Sequence, residues 1–177
     1  VDRELVTSNL KESKLFKGQQ KRGREMLDRM ATRLSFVKMR VLGYAVYKAF
    51  RNMYENIVVN KNDVKMIRDL NESNTGNVIY CPTHRSYVDF LIMSVVLYSH
   101  QIKVPHIWAG EDFLDIAVVH SFLRNSGAFF MRRSFKGDPL YKSIFYEYVQ
   151  TLLGNNHSLE FFLEGTRARS GKMLSPK

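Results

Sequence analysis

The rhythm of apolar and polar positions changes near residue 76. Between Leu34 and Val59 the apolar residues Val37, Val41, Leu42, Ala45, Val46 and Ala49 recur at helical spacing, with Lys38, Arg40, Lys48 and Arg51 between them. That spacing predicts an amphipathic helix. It is open to two readings: a helix packed on the domain through those positions, or a basic helix lying on a membrane surface. Residues 9–33 are dense in charge and carry two glycines that weaken a helix, so they predict an exposed, irregular helical arm. The stretch "NKNDVKMIRDLNESNTG" reads as a short helix closed by a turn.

Beyond that turn, four short apolar runs alternate with longer helical segments. The runs are "NVIYCP", "VPHIWAG", "GAFFMR" and "LEFFLEG", the last expected to stay extended to Glu164; the segments are "RSYVDFLIMSVVLYSH", "EDFLDIAVVHSFLRNS" and "PLYKSIFYEYVQTLLGNN". Strand alternating with helix predicts an α/β domain with a largely parallel sheet and helices on both faces. Residues 1–60 form a basic, helical N-terminal region and residues 61–177 the α/β domain. No internal repeat or low-complexity tract interrupts either part.

Composition narrows this only a little. A chain of 177 residues, 45% hydrophobic and 12% aromatic, can bury a core and is not a disordered polar chain. The net charge of +10 calls for an anionic partner: nucleic acid, an acidic membrane surface or a phosphorylated substrate. The single cysteine, Cys81, excludes an intrachain disulfide and a multi-cysteine zinc site. No signal-peptide pattern opens the chain, and no uncharged run is long enough to span a bilayer, so any membrane contact is expected to be peripheral. The start at Val1 and the end on "MLSPK" read as a fragment of a longer protein.

In parallel α/β sheets ligands bind beyond the carboxyl ends of the strands. Three polar stretches fall there: "THRSYVD", "RRSFKGD" and "EGTRARSGK". In the first, Asp89 lies five residues after His84 and close enough to fold back onto one imidazole nitrogen. A histidine so held suits a general base for a hydroxyl. The same spacing also suits a capped turn whose aspartate complements a helix N-terminus. A covalent route finds little support, because Cys81 reads as a small buried hydrophobe and Ser86 lacks a G-x-S-x-G elbow.

In the second stretch Arg132 and Arg133, with Lys136 behind them, end an apolar strand and offer planar donors suited to phosphate, or a solvated strand end with an internal salt bridge. The third tempts toward a nucleotide-binding P-loop. Its glycines are one residue too far apart, and Met173 stands where that loop carries Ser or Thr. What remains is a tight turn at Gly165 and Thr166 after Glu164, followed by Arg167 and Arg169, again suited to phosphate. The histidines lack partners at metal-ligand spacing, so no metal is expected. The aromatic residues sit inside apolar runs rather than among exposed cations, which argues against nucleic acid.

Taken together the three stretches resemble the glycerolipid acyltransferases. "HRSYVD" is similar to their H-x4-D block, "GAFFMRR" to their second block and "FFLEGTRAR" to their third, in that family's order. "EGT" and Leu163 lean toward the branch that acylates dihydroxyacetone phosphate, with glycerol 3-phosphate enzymes as near neighbours. The resemblance implies acyl-CoA as a co-substrate with no cofactor and no metal. It implies His84 as base, Asp89 orienting it, and Arg132, Arg133, Arg167 and Arg169 on the acceptor phosphate. Glu164, Gly165 and Thr166 would shape the acceptor pocket. It further implies the first step of ether lipid synthesis at the peroxisomal membrane, with the mitochondrial outer membrane or endoplasmic reticulum as alternatives. The family's fourth block is not found up to Lys177, so the sheet is expected to be incomplete. A non-catalytic module binding anionic lipid is the rival from another class.

Overall fold

The computed structural model describes residues 3–73, 75–86, 88–115, 117–168 and 170–176, with side chains from residue 17 onward except at 36, 113 and 117–119. Each of the four apolar runs supplies a strand: β1 (Ile79–Tyr80), β2 (His106–Gly110), β3 (Ala128–Met131) and β4 (Leu159–Glu160). All pair in parallel, in the order β1-β4-β2-β3. The α-helix α4 (Asp89–Ser99) joins β1 to β2. A 3₁₀ turn at Glu111–Asp115 and α5 (Ala117–Asn125) join β2 to β3, and α6 (Pro139–Gly154) joins β3 to β4. The first two crossovers step one way across the sheet and the third steps back. If each keeps the right hand, α6 must cover the opposite face from α4 and α5.

The core agrees. On one face Tyr80 packs with Val64 of α3 (Lys61–Glu72) and Leu97 of α4, and Ile107, Ala128 and Phe130 pack with Leu123 of α5. On the other, Phe129 and Leu159 pack against Tyr141, Phe145 and Leu152 of α6. Alternate strand residues thus feed opposite layers, as the pleat requires.

Three expectations need correction. The charged N-terminal stretch is not an irregular arm. It is one continuous helix, α1 (Arg3–Met30), whose Met26 and Met30 are buried in the core beside α6. Packing here overrides propensity. At Gly23 a Cβ would stand 3.3 Å from Ile144 Cδ1, so the glycine admits a close approach to α6. The end of α1 is pinned by Arg124, whose guanidinium donates to the carbonyls of Asp28, at 2.7 Å, and Arg29.

The second correction concerns α2 (Phe36–Met53), which packs on α4 and α5. It turns Leu42, Val46 and the buried Phe50 inward but points Val37 and Val41 outward, 74% and 67% exposed. The apolar positions were spread too widely around the helix for one packed stripe to hold them all. The third concerns "LEFFLEG", which leaves the ladder early. Phe161 N–H still donates to Tyr80 O at 3.1 Å, but Gly165 N–H then closes a turn onto Phe162 O at 3.0 Å. Gly165 has φ +61°, a conformation glycine adopts without penalty.

Candidate active site

Because the four strands run parallel, the segments leaving their carboxyl ends share one rim. β1 and β4 are neighbours, so the His84 loop and the 163–168 turn meet directly. His84 N–H donates to Glu164 Oε1 at 2.7 Å, and Ala168 N–H donates to His84 O at 3.1 Å. Both backbone groups of His84 are therefore held by the turn after β4. The imidazole stacks on the Phe162 ring, centroids 4.1 Å apart and planes 29° apart.

Asp89 opens α4 and folds back as its spacing allowed. Its Oδ2 accepts from Arg85 N–H and Ser86 N–H, each at 2.7 Å, and lies 3.3 Å from His84 Nδ1. The two backbone bonds fix the carboxylate before any proton moves, and the third contact leaves Nε2 as the nitrogen for a substrate hydroxyl. With one oxygen the aspartate both caps the turn and meets the imidazole, so the capped-turn geometry and the histidine contact that the spacing allowed occur together.

Glu164 does not line an open pocket with its carboxylate. It is buried, and its second oxygen accepts from Leu174 N–H at 3.0 Å. The N–H groups of His84 and Leu174 together hold this carboxyl below its ordinary range. It clamps the His84 loop to the segment after the turn. Gly165, Thr166 and Arg167 are exposed beyond it, and Arg169 lies outside the described residues. Cys81 is exposed, not buried.

The two arginines after β3 differ. Arg132 is caged: Nη1 donates to Asp138 at 2.9 Å, Nε lies 3.6 Å from Glu111, and the guanidinium stands 4.2 Å over the Tyr141 ring. Burial would raise the Asp138 carboxyl, but Tyr141 N–H, Arg132 and Arg22 hold it below its ordinary value. Arg133 is 81% exposed and meets Asp112 at 2.5 Å. β3 stands two strand spacings from β4, about 10 Å, and three from β1, about 15 Å, so the ends of β2 and β4 lie between Arg133 and the His84 loop. Among the described residues no three His, Cys, Asp or Glu side chains gather as a metal site would require.

Residues 57–177 match the family model described as Acyltransferase. The chain belongs to the acyltransferase family. It is 43% identical over 154 residues to dihydroxyacetone phosphate acyltransferase of Oryctolagus cuniculus, covering 86% of this chain and 22% of that protein. The Bos taurus protein of the same name is 44% identical over the same length. Glycerol-3-phosphate acyltransferase of Pseudomonas aeruginosa is 39% identical over 148 residues, 84% of this chain and 17% of that protein. The chain thus spans about a fifth of the length of these curated relatives.

In this member of the acyltransferase family, the sequence located the His84–Asp89 pair and missed what surrounds it. Phe162 could have been found, since alternation puts it on the same strand face as Glu160, toward α4. Of the cage around Arg132, Asp138 lay within the stretch "RRSFKGD", where an internal salt bridge was one of the two readings; Glu111 and Tyr141 carried no local signal.

Proposed function

We propose that this protein transfers a fatty acyl group from acyl-CoA to the hydroxyl of dihydroxyacetone phosphate. The observation that carries the reading is an imidazole whose Nδ1 meets a carboxylate already held by two backbone N–H groups, at the rim of a parallel sheet. The acceptor hydroxyl gives its proton to His84 Nε2 as its oxygen bonds to the thioester carbonyl carbon. The tetrahedral intermediate collapses by breaking the C–S bond, and the CoA thiolate takes the proton back from Nε2. Asp89 stabilises the imidazolium in between, and proton transfer to such a base is worth about 10²- to 10⁴-fold. No acyl-enzyme forms.

The acceptor phosphate falls to Arg133, Arg167 and Arg169. Arg132 is already matched by the carboxylates of Asp138 and Glu111, whereas among the described residues the exposed Arg133 has Asp112 alone to give up for a phosphate. Glu164 shapes the acceptor side by fixing the His84 loop, and the exposed Gly165 and Thr166 border it. Peripheral membrane contact belongs to the same reading, since donor and product are amphiphiles. So does a peroxisomal location, which follows from the dihydroxyacetone phosphate branch. Among the described residues no helix is long and apolar enough to cross a membrane.

Glycerol 3-phosphate is the second reading, favoured by the 39% identity to enzymes named for it. A CoA-release assay on the full-length protein with both acceptors separates the two. His84→Ala is expected to lose at least about 10²-fold in turnover; wild-type turnover in that variant would remove the general base. A strong preference for glycerol 3-phosphate would reassign the acceptor and leave the chemistry standing.

A further inference from the structure

The two faces of α2 are unlike. Inward, Leu42, Val46 and Phe50 join the layer over α4 and α5. Outward stand Val37, Val41, Tyr44 and Tyr47, from 48% to 74% exposed. At 100° per residue, Arg40, Lys48 and Arg51 fall within the same outward arc. The Lys48 ammonium lies 5.6 Å over the Tyr44 ring, and the Arg51 guanidinium 5.9 Å over Tyr47. After the helix and the exposed Glu55, Ile57 is 40% and Val58 94% exposed.

Single exposed apolar residues are ordinary, but this set shares one face with a particular chemistry. No acidic residue occurs from Phe36 to Tyr54, while four cations do. A protein surface would be matched by mixed charge. A surface with phosphates above and hydrocarbon below is matched by cations on flexible stems, tyrosine rings and valines in that order of depth.

We propose that the outward face of α2 docks the protein on an anionic lipid surface, the helix lying flat in the headgroup layer. This rests on the peripheral membrane contact proposed above and deepens it by naming the surface and the lipid charge. Val37 and Val41 enter the acyl boundary, Tyr44 and Tyr47 sit at headgroup level, and Arg40, Lys48 and Arg51 meet lipid phosphates.

The test is co-sedimentation of the full-length protein with phosphatidylcholine vesicles, with and without phosphatidylserine. Wild type binds the phosphatidylserine vesicles, less so as salt rises. Arg40→Gln, Lys48→Gln and Arg51→Gln together weaken that binding on the order of 100-fold, each cation near such a surface being worth about a factor of five. The same variant keeps its CoA release with a water-soluble short-chain acyl-CoA, which shows that the fold is intact. If the variant binds as wild type does, the α2 surface is overturned and peripheral contact stands. If wild type binds neither vesicle, both fall. If Lys48 resists amine labelling in the full-length protein without vesicles, another part of the protein covers this face and the lipid assignment is overturned.

Discussion

Replacing Glu160 by glutamine should flatten the dependence of stability on pH. Glu160 sits at the centre of the sheet, between Tyr80 and Ile107, fully buried, and neither carboxyl oxygen has a partner among the described residues. Its side chain faces the layer of Tyr80, Leu97 and Ile107, where the Tyr80 phenol interacts with it. Burial raises its carboxyl from 4.5 to about 8, so the folded protein carries it neutral at pH 7. The unfolded chain ionises near 4.5, so unfolding releases a proton throughout that interval. Stability is therefore fully present below pH 4.5 and is lost as pH rises to about 8. At 1.36 kcal/mol per pH unit the whole loss is about 5 kcal/mol, an upper figure because relaxation admits water. Glu160→Gln has nearly the same shape and no proton to lose. Urea denaturation at a series of pH values should show the variant gaining on wild type by about 3 to 5 kcal/mol between pH 5 and pH 9. Parallel curves across that range would mean that the carboxyl is solvated or paired, and the reasoning would fail.

The acid side has its own group. His106 is pushed down to about 4, first by burial and then by His157, against the pull of the Gly127 carbonyl that accepts from its Nδ1. Its contribution is present above pH 6.5 and lost as pH falls through 4, so His106→Gln should reduce acid sensitivity by about 3 kcal/mol in the same denaturation series. Asp89→Asn keeps the size of the side chain but weakens the hold on Nδ1, and should lower kcat by about 10²- to 10⁴-fold with little change in acyl-CoA KM; an unchanged kcat would remove its orienting role. Arg167→Ala should raise acceptor KM about 10- to 100-fold and leave acyl-CoA KM nearly constant, the size of one charged hydrogen bond. Equal effects on both substrates would argue against the phosphate role. Met30→Ala, 1% exposed against α6, should cost about 2 to 5 kcal/mol in urea denaturation. A negligible cost would detach α1 from the core.

Much of the candidate site was legible because its chemistry is local. Five residues from His84 to Asp89 are enough for a carboxylate to fold back across a turn onto an imidazole, whatever the rest of the chain does. The second and third blocks were legible for a related reason: a strand that ends in apolar residues delivers the next polar ones to the rim. What local spacing could not rank was the two arginines. Arg132 and Arg133 are adjacent and alike in sequence. Only Glu111 from the end of β2 and Asp138 from the start of α6, brought together by the fold, cage the first and leave the second exposed.

The sequence alone therefore determined the α/β alternation, the parallel sheet and the proximity of the histidine and aspartate, because periodicity and short-range spacing are properties of neighbouring residues; the family came from the resemblance of its three blocks to known proteins. The tertiary structure decided the rest. It placed β4 between β1 and β2, so that Glu164 and Ala168 clamp the His84 backbone from across the rim. It recruited a charged, glycine-bearing helix into the core through Met26 and Met30, and it turned Val37 and Val41 away from that core. Each outcome depends on which surface another element leaves open to be covered, and that is set by contacts between residues far apart in the chain.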